Sequence, residues 1–238
     1  MILKRKTVIL TALLLCICII ALFTGKNLKT ATVSVKRNTR PQIILDAGHG
    51  GFDGGAVAND GTVEKDINLE ITLYLAELLK SGGYEVIYTR QTDVSTDDVE
   101  TDKIVARKKS DLKNRLELMH DYPEAVFVSI HLNKFTTSAA NGSQVFYSNK
   151  NEKSKILGQM IQGKIVSLLQ PYNTRVNKQA TSSTYILYNA TVPAVLVECG
   201  FLSNKAELEK LKDTEYQRQM AFCIFCGINE YFSHSSVI

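Results

Sequence analysis

The run AVFVSIHLN at residues 125–133 constrains the fold more than any other feature of the chain. It is almost continuously apolar and rich in β-branched residues, so it reads as a central strand. A strand that is apolar on both faces must be covered on both faces, which is the condition of a parallel sheet inside an α/β layer. The flanking segments supply the cover. Residues 42–46, QIILD, form a second short apolar strand that runs into a glycine-rich loop. Ile67, Ile71, Leu75, Leu78 and Leu79 recur at helical spacing, and Gly82 and Gly83 stop that helix. Further strands are expected at 84–90, 143–148, 185–188 and 194–201. Helices are expected at 104–120 and 153–169, with two more closing the chain. The alternation predicts one α/β domain, a sheet with helices on both faces.

The chain opens differently. Residues 1–7, MILKRKT, are basic, and residues 8–23 are almost wholly apolar. A basic start followed by an apolar stretch is a signal peptide or a signal anchor, and 7–25 is just long enough to span a bilayer. No A-x-A cleavage site follows, which favours an uncleaved anchor, and the bulky Leu15 before Cys16 argues against lipidation. Positive residues ahead of the run place the domain on the outside. The expected organisation is a membrane segment at 1–25, a basic linker at 26–40, a catalytic domain at 41–232 and a tail at 233–238. The net charge of +4 suits an anionic wall or membrane surface and is too weak to indicate nucleic acid. Five cysteines without a regular framework exclude a disulfide scaffold. Cys223 and Cys226 fall at helical spacing and read as small buried hydrophobes.

Chemistry is concentrated at strand ends. His49 and His131 each lie at the C-terminal end of an apolar strand, the edge where open α/β sheets build their sites. Glu198 ends a third such strand, and Glu64 stands just before the first predicted helix. A carboxylate inside an apolar strand is costly unless it is used or paired. Two histidines with one carboxylate make up the ligand set of a catalytic zinc, which keeps one open position and lowers the pKa of water to about 7. A further carboxylate outside that set can carry a proton. The glycine loop at 48–55 lacks the spacing of a phosphate cradle. His120 fits a helix end, where a cation is favoured, and His234 lies in the polar tail.

Four segments in order, ILDAGHGGFDGGA, EKDINLEI, VSIHLN and VLVECGFLSN, resemble the zinc-dependent N-acetylmuramoyl-L-alanine amidases, often called amidase type 3. The resemblance covers about residues 41–232 and implies a twisted, mixed, largely parallel sheet with helices on both faces. It implies that His49, Glu64 and His131 are zinc ligands, that Glu198 is the catalytic glutamate, and that the substrate is peptidoglycan. Within the family, the single domain, the N-terminal membrane segment and the stretch ARKKSDLKNRLELMH are most similar to the germination-specific amidases of spore formers. That likeness implies removal of stem peptides in spore cortex on the way to muramic-δ-lactam, at an extracytoplasmic location, with a possible activating partner protein outside the cell. The alternatives are a vegetative autolysin, another zinc peptidoglycan peptidase, and a non-catalytic wall-binding protein, which should lack a complete ligand set. The loop at 91–102 could serve as a lid or as a partner surface, and a solvated connection is the default expectation.

Overall fold

The computed structural model describes residues 40–235. Its strands are β1 (Gln42–Ala47), β2 (Glu85–Tyr88), β3 (Val126–Asn133), β4 (Gln144–Tyr147), β5 (Lys178–Gln179) and β6 (Ala194–Phe201). They lie in the order β2-β1-β3-β6-β4-β5. Every neighbouring pair is parallel except β6 with β4, which is antiparallel. The helices are α1 (Glu64–Ser81), α2 (Ile104–Asp121), α3 (Glu152–Leu168), the single turn α4 (Tyr185–Tyr188), α5 (Lys205–Lys212) and α6 (Thr214–Ser235).

The two cores follow from the period of two along a strand. Ile43, Leu45, Val128 and Val197 point into one core, where they meet Ile71 and Leu75 of α1, Leu157 and Ile161 of α3, and Ile224 of α6. Ile44, Phe127 and Leu196 point into the other, against Met119 of α2 and the α4 turn. β1, β3 and β6 are thus covered on both faces, as the apolar run at 125–133 requires, and the expected mixed, largely parallel sheet is present.

The tightest seam joins α3 to α6. A Cβ built on Gly227 would stand 2.5 Å from Ile161 Cα. Alanine there should gain roughly 1 kcal/mol of helix propensity, but the atom it strikes is backbone and cannot swing aside. Gly227→Ala is therefore expected to destabilise the fold by about 1–3 kcal/mol, measured as a lowered midpoint in thermal or urea denaturation. A variant at least as stable as the parent would show that α3 and α6 separate freely.

Two expectations need correction. Residues 185–188 are a helical turn, not a strand. Ile186 and Leu187 are both buried in the second core; a strand would send adjacent side chains to opposite faces, whereas a helical turn lets both reach the sheet. Glu64 is the first residue of α1 and does not precede the helix. The loop at 91–102 is mostly exposed, as expected of a solvated connection, and it is also fastened: Thr96 N donates to Asp111 Oδ1 at 2.7 Å, Arg107 pairs with Asp97 at 2.8 Å, and Asp93 accepts from Lys65 at 2.6 Å and from Gly51 N at 2.8 Å. The cysteine reading holds for Cys223, which is buried and free of any disulfide, while Cys226 is half-buried. Among the described residues no helix is long and apolar enough to cross a membrane. The expected membrane segment at 1–25, nearly all of the linker at 26–40 and the last part of the tail lie outside the described residues.

Candidate active site

The site begins where β1 runs out. His49 has φ 62°, and it is the one non-glycine residue among those described in the left-handed region. That conformation costs an L-residue of order 1–3 kcal/mol unless its surroundings enforce it. Two buried arginines do so. Arg90 Nε donates to Ala47 O at 2.9 Å and Arg90 Nη2 to Gly48 O at 3.0 Å. Arg115 Nη1 donates to Ala47 O at 2.9 Å and Arg115 Nη2 to His49 O at 2.7 Å. Three successive carbonyls are thus held by guanidinium groups. Arg115 is in turn neutralised by Asp46 and Asp111.

Glu64 sits at the centre, almost fully buried. The early start of α1 puts it there, and its carboxylate accepts from Ala56 N at 2.8 Å, Leu132 N at 3.0 Å and Asn68 Nδ2 at 3.2 Å. Its two oxygens divide the imidazoles between them: Oε2 lies 3.3 Å from His49 Nε2 and Oε1 lies 3.0 Å from His131 Nδ1. One donor atom from each of the three residues falls within 4.8 Å of the others. Burial would raise the Glu64 pKa, but the bonds to His131 and His49 hold it far below the usual carboxylate range.

Glu198 arrives from the adjacent strand. In the parallel pairing of β3 with β6, His131 is opposite Glu198, just before a register shift. Its Oε2 is buried without a hydrogen-bond partner. Burial, reinforced by the Glu64 charge and opposed by the two histidines, pushes its pKa up to about 7. A carboxylate poised there can both take and return a proton near neutral pH.

These residues fit a zinc ion. Two imidazoles and a carboxylate converge with room for a fourth position, and an orphaned buried carboxylate oxygen, costly in a closed protein, belongs where a polar molecule is to be placed. All four residues singled out in the sequence are brought together; His120 and His234 are exposed and far along other helices. Sequence reasoning missed Asp53, Arg90 and Arg115. It also missed the cavity of about 250 Å³ beside His49 and His131, walled by Lys108, Leu112 and Ile186. The spacing of Asp111, Arg115 and Met119 on one helix face was the available signal for Arg115.

Gly48 sets how closely β1 approaches the site. A Cβ there would lie 2.3 Å from both Cε1 and Nε2 of the His131 ring. Gly48→Ala should therefore displace that ring and sharply lower zinc uptake, read as bound metal per chain by atomic absorption. One zinc per chain in the variant would contradict the packing argument.

Comparison with known proteins points the same way. A family model described as N-acetylmuramoyl-L-alanine amidase matches residues 43–230. The chain is 35% identical over 191 residues to the germination-specific N-acetylmuramoyl-L-alanine amidase of Bacillus subtilis, covering 80% of this chain and 79% of that protein. Its fold is similar to the CwlD amidase of Clostridioides difficile, solved in complex with the GerS lipoprotein, with TM-score 0.78 and 43% identity over 82% of this chain and 99% of that one. It is also similar to the amidase AmiC2 of Nostoc punctiforme, with TM-score 0.69 and 28% identity over 82% of this chain and 98% of that one.

Proposed function

The chain belongs to the N-acetylmuramoyl-L-alanine amidase family, hydrolases that act on peptidoglycan, and from that premise we propose that it works with zinc on His49, Glu64 and His131, with Glu198 moving the proton. The observation that supports this most is Glu64 between two imidazoles, with the Glu198 carboxylate in register beside one of them. The bond cut joins the lactyl carbonyl of muramic acid to the amine of L-alanine.

Zinc, when bound, supplies Lewis-acid polarisation of the scissile carbonyl. The protein does the rest. Glu198 takes a proton from the water that attacks the carbonyl carbon. As the C–N bond breaks, Glu198 delivers that proton to the departing nitrogen, so the amine leaves neutral and the carboxylate is regenerated. Glu64, fixed by two backbone amides and Asn68, keeps the donor set in place between turnovers.

In the cell, we assign the reaction to spore cortex. The likeness to the germination-specific enzyme and to CwlD supports this, and the complex of CwlD with a lipoprotein supports an activating partner outside the cytoplasm. The test is incubation of the protein and zinc with cortex peptidoglycan, followed by mass spectrometry. Stem peptides beginning with L-alanine and an intact glycan are expected. Shortened stems still attached to muramic acid would move the assignment to a peptidase.

Metal loading should depend on pH in a defined direction. Without an ion, burial lowers the His49 pKa, but the bonds to Asp53 and Glu64 outweigh it and raise the value to about 9. His49 is then protonated at neutral pH, and an ion must expel that proton to bind. Zinc affinity should rise with pH up to about 9. Calorimetric titrations at pH 7 in two buffers of different ionisation enthalpy should give different heats; identical heats would show that no proton leaves.

A further inference from the structure

The contacts with Glu64 engage one nitrogen of each imidazole. The second nitrogen of His49 has a partner of its own: Nδ1 lies 2.9 Å from Asp53 Oδ2. We propose that Asp53 is a positioning residue that keeps His49 as the Nδ1-protonated tautomer, leaving Nε2 free as the donor to the metal. The inference rests on the zinc reading above.

A neutral imidazole has one donor nitrogen and one acceptor nitrogen, and an ionised carboxylate only accepts. Both carboxylates beside the ring can only accept, but Asp53 is the nearer, 2.9 Å from Nδ1 against 3.3 Å between Glu64 and Nε2, so the proton is held on Nδ1 and the Nε2 lone pair is left to the metal. Asp53 is not itself a ligand. Its carboxylate lies behind the ring, and the donor cluster found among the described residues contains His49, Glu64 and His131 without it.

The glycine loop serves this contact. Gly50 N donates to Asp53 O at 2.8 Å and Asp53 N to Gly50 O at 3.0 Å, so the chain doubles back and returns Asp53 to the residue next to Gly50. Gly50 and Gly51 have φ of 134° and 54°, conformations that permit so tight a reversal. The carboxylate is then fixed from its other side: Oδ1 accepts from Lys108 Nζ of α2 at 2.9 Å and from Gly55 N at 3.3 Å. The glycine-rich loop thus folds an acid back onto a proposed metal ligand. His131 has a different neighbour, since its ring lies close against Gly48, where a Cβ would strike it.

Carboxylates behind metal-bound histidines commonly account for about 10–100-fold in metal affinity. The test uses the full chain with Asp53→Ala and Asp53→Asn, and takes two readings. Zinc affinity is measured by competition with a chromogenic chelator. The His49 ring tautomer is read from its ¹⁵N shifts in zinc-free protein at alkaline pH. Asp53→Ala should bind zinc about 10–100-fold more weakly and should show a mixture of tautomers at neutral His49. Asp53→Asn keeps an acceptor oxygen and should recover much of both. A merely structural role would lower the unfolding temperature without moving the tautomer. If wild type loads zinc and Asp53→Ala matches it in affinity and tautomer, this inference falls alone. If wild type takes up no zinc, the metal assignment falls and this inference with it.

Discussion

Glu198→Gln should lower kcat by about 10²–10⁴-fold while the protein folds and takes up zinc as before. The substitution keeps the shape of the side chain and removes its ability to accept a proton. The buried Oε2 that lacks a partner becomes one end of an amide, which is less costly to bury than a carboxylate, so stability should hold or rise slightly. Peptide release from peptidoglycan, measured under saturating zinc with metal content determined on the same sample, separates the role from a loading defect. Activity within a few-fold of wild type would assign the proton transfer to another group.

Arg115→Leu should produce the largest loss of stability. Arg115 is buried against Asp46 and Asp111 and also holds the carbonyls of Ala47 and His49. Removing one partner of a buried ion pair costs about 3–5 kcal/mol, because the charge left behind has no compensation. For a domain of this size that corresponds to a fall in melting temperature of about 6–20 °C. Burial alone would raise the Asp46 pKa, but Arg115, with help from a Ser129 hydrogen bond, holds it low. A depressed carboxylate stabilises the fold above its unfolded pKa and loses that contribution as pH falls. The variant should therefore lose most at neutral pH and converge on wild type in acid. Adding Asp46→Asn to Arg115→Leu should recover part of the loss, since the stranded charge is gone. A single variant that melts within about 2 °C of wild type would mean that water reaches Asp46.

The site was legible in the sequence where polarity broke an apolar pattern. His49, His131 and Glu198 stand out because each interrupts or follows a β-rich run that otherwise belongs to a core. The same pattern located β1, β3 and β6, whose order in the sheet brings those three residues to one edge. What holds them was not legible. Arg115 lies in ARKKSDLKNR, a stretch that reads as a solvated helix surface; its spacing from Asp111 and Met119 is the one local signal, and its burial comes from where α2 crosses the end of β1. Asp53 looks like one more turn residue until the Gly50 reversal returns it to His49. The α4 turn was misread because YILY has strand propensity, and the need to bury adjacent side chains on one side overrode it.

The order of the central strands has a consequence for how the protein matures. Glu64 and His131 are 67 residues apart in the chain, and they meet only after β1 and β3 have paired in parallel, with the whole of α1, β2 and α2 looped out between them. Such long-range parallel pairings close late and slowly. The donor cluster therefore does not exist in a partly assembled chain, and an ion that binds it selects molecules whose central sheet is finished. By mass action it then holds them there, by about 2.7 kcal/mol when free zinc is at a hundred times its dissociation constant. On the zinc assignment proposed above, metal uptake would be the final step of folding as well as the first of catalysis, and a chain emerging where zinc is scarce would remain both idle and easier to unfold.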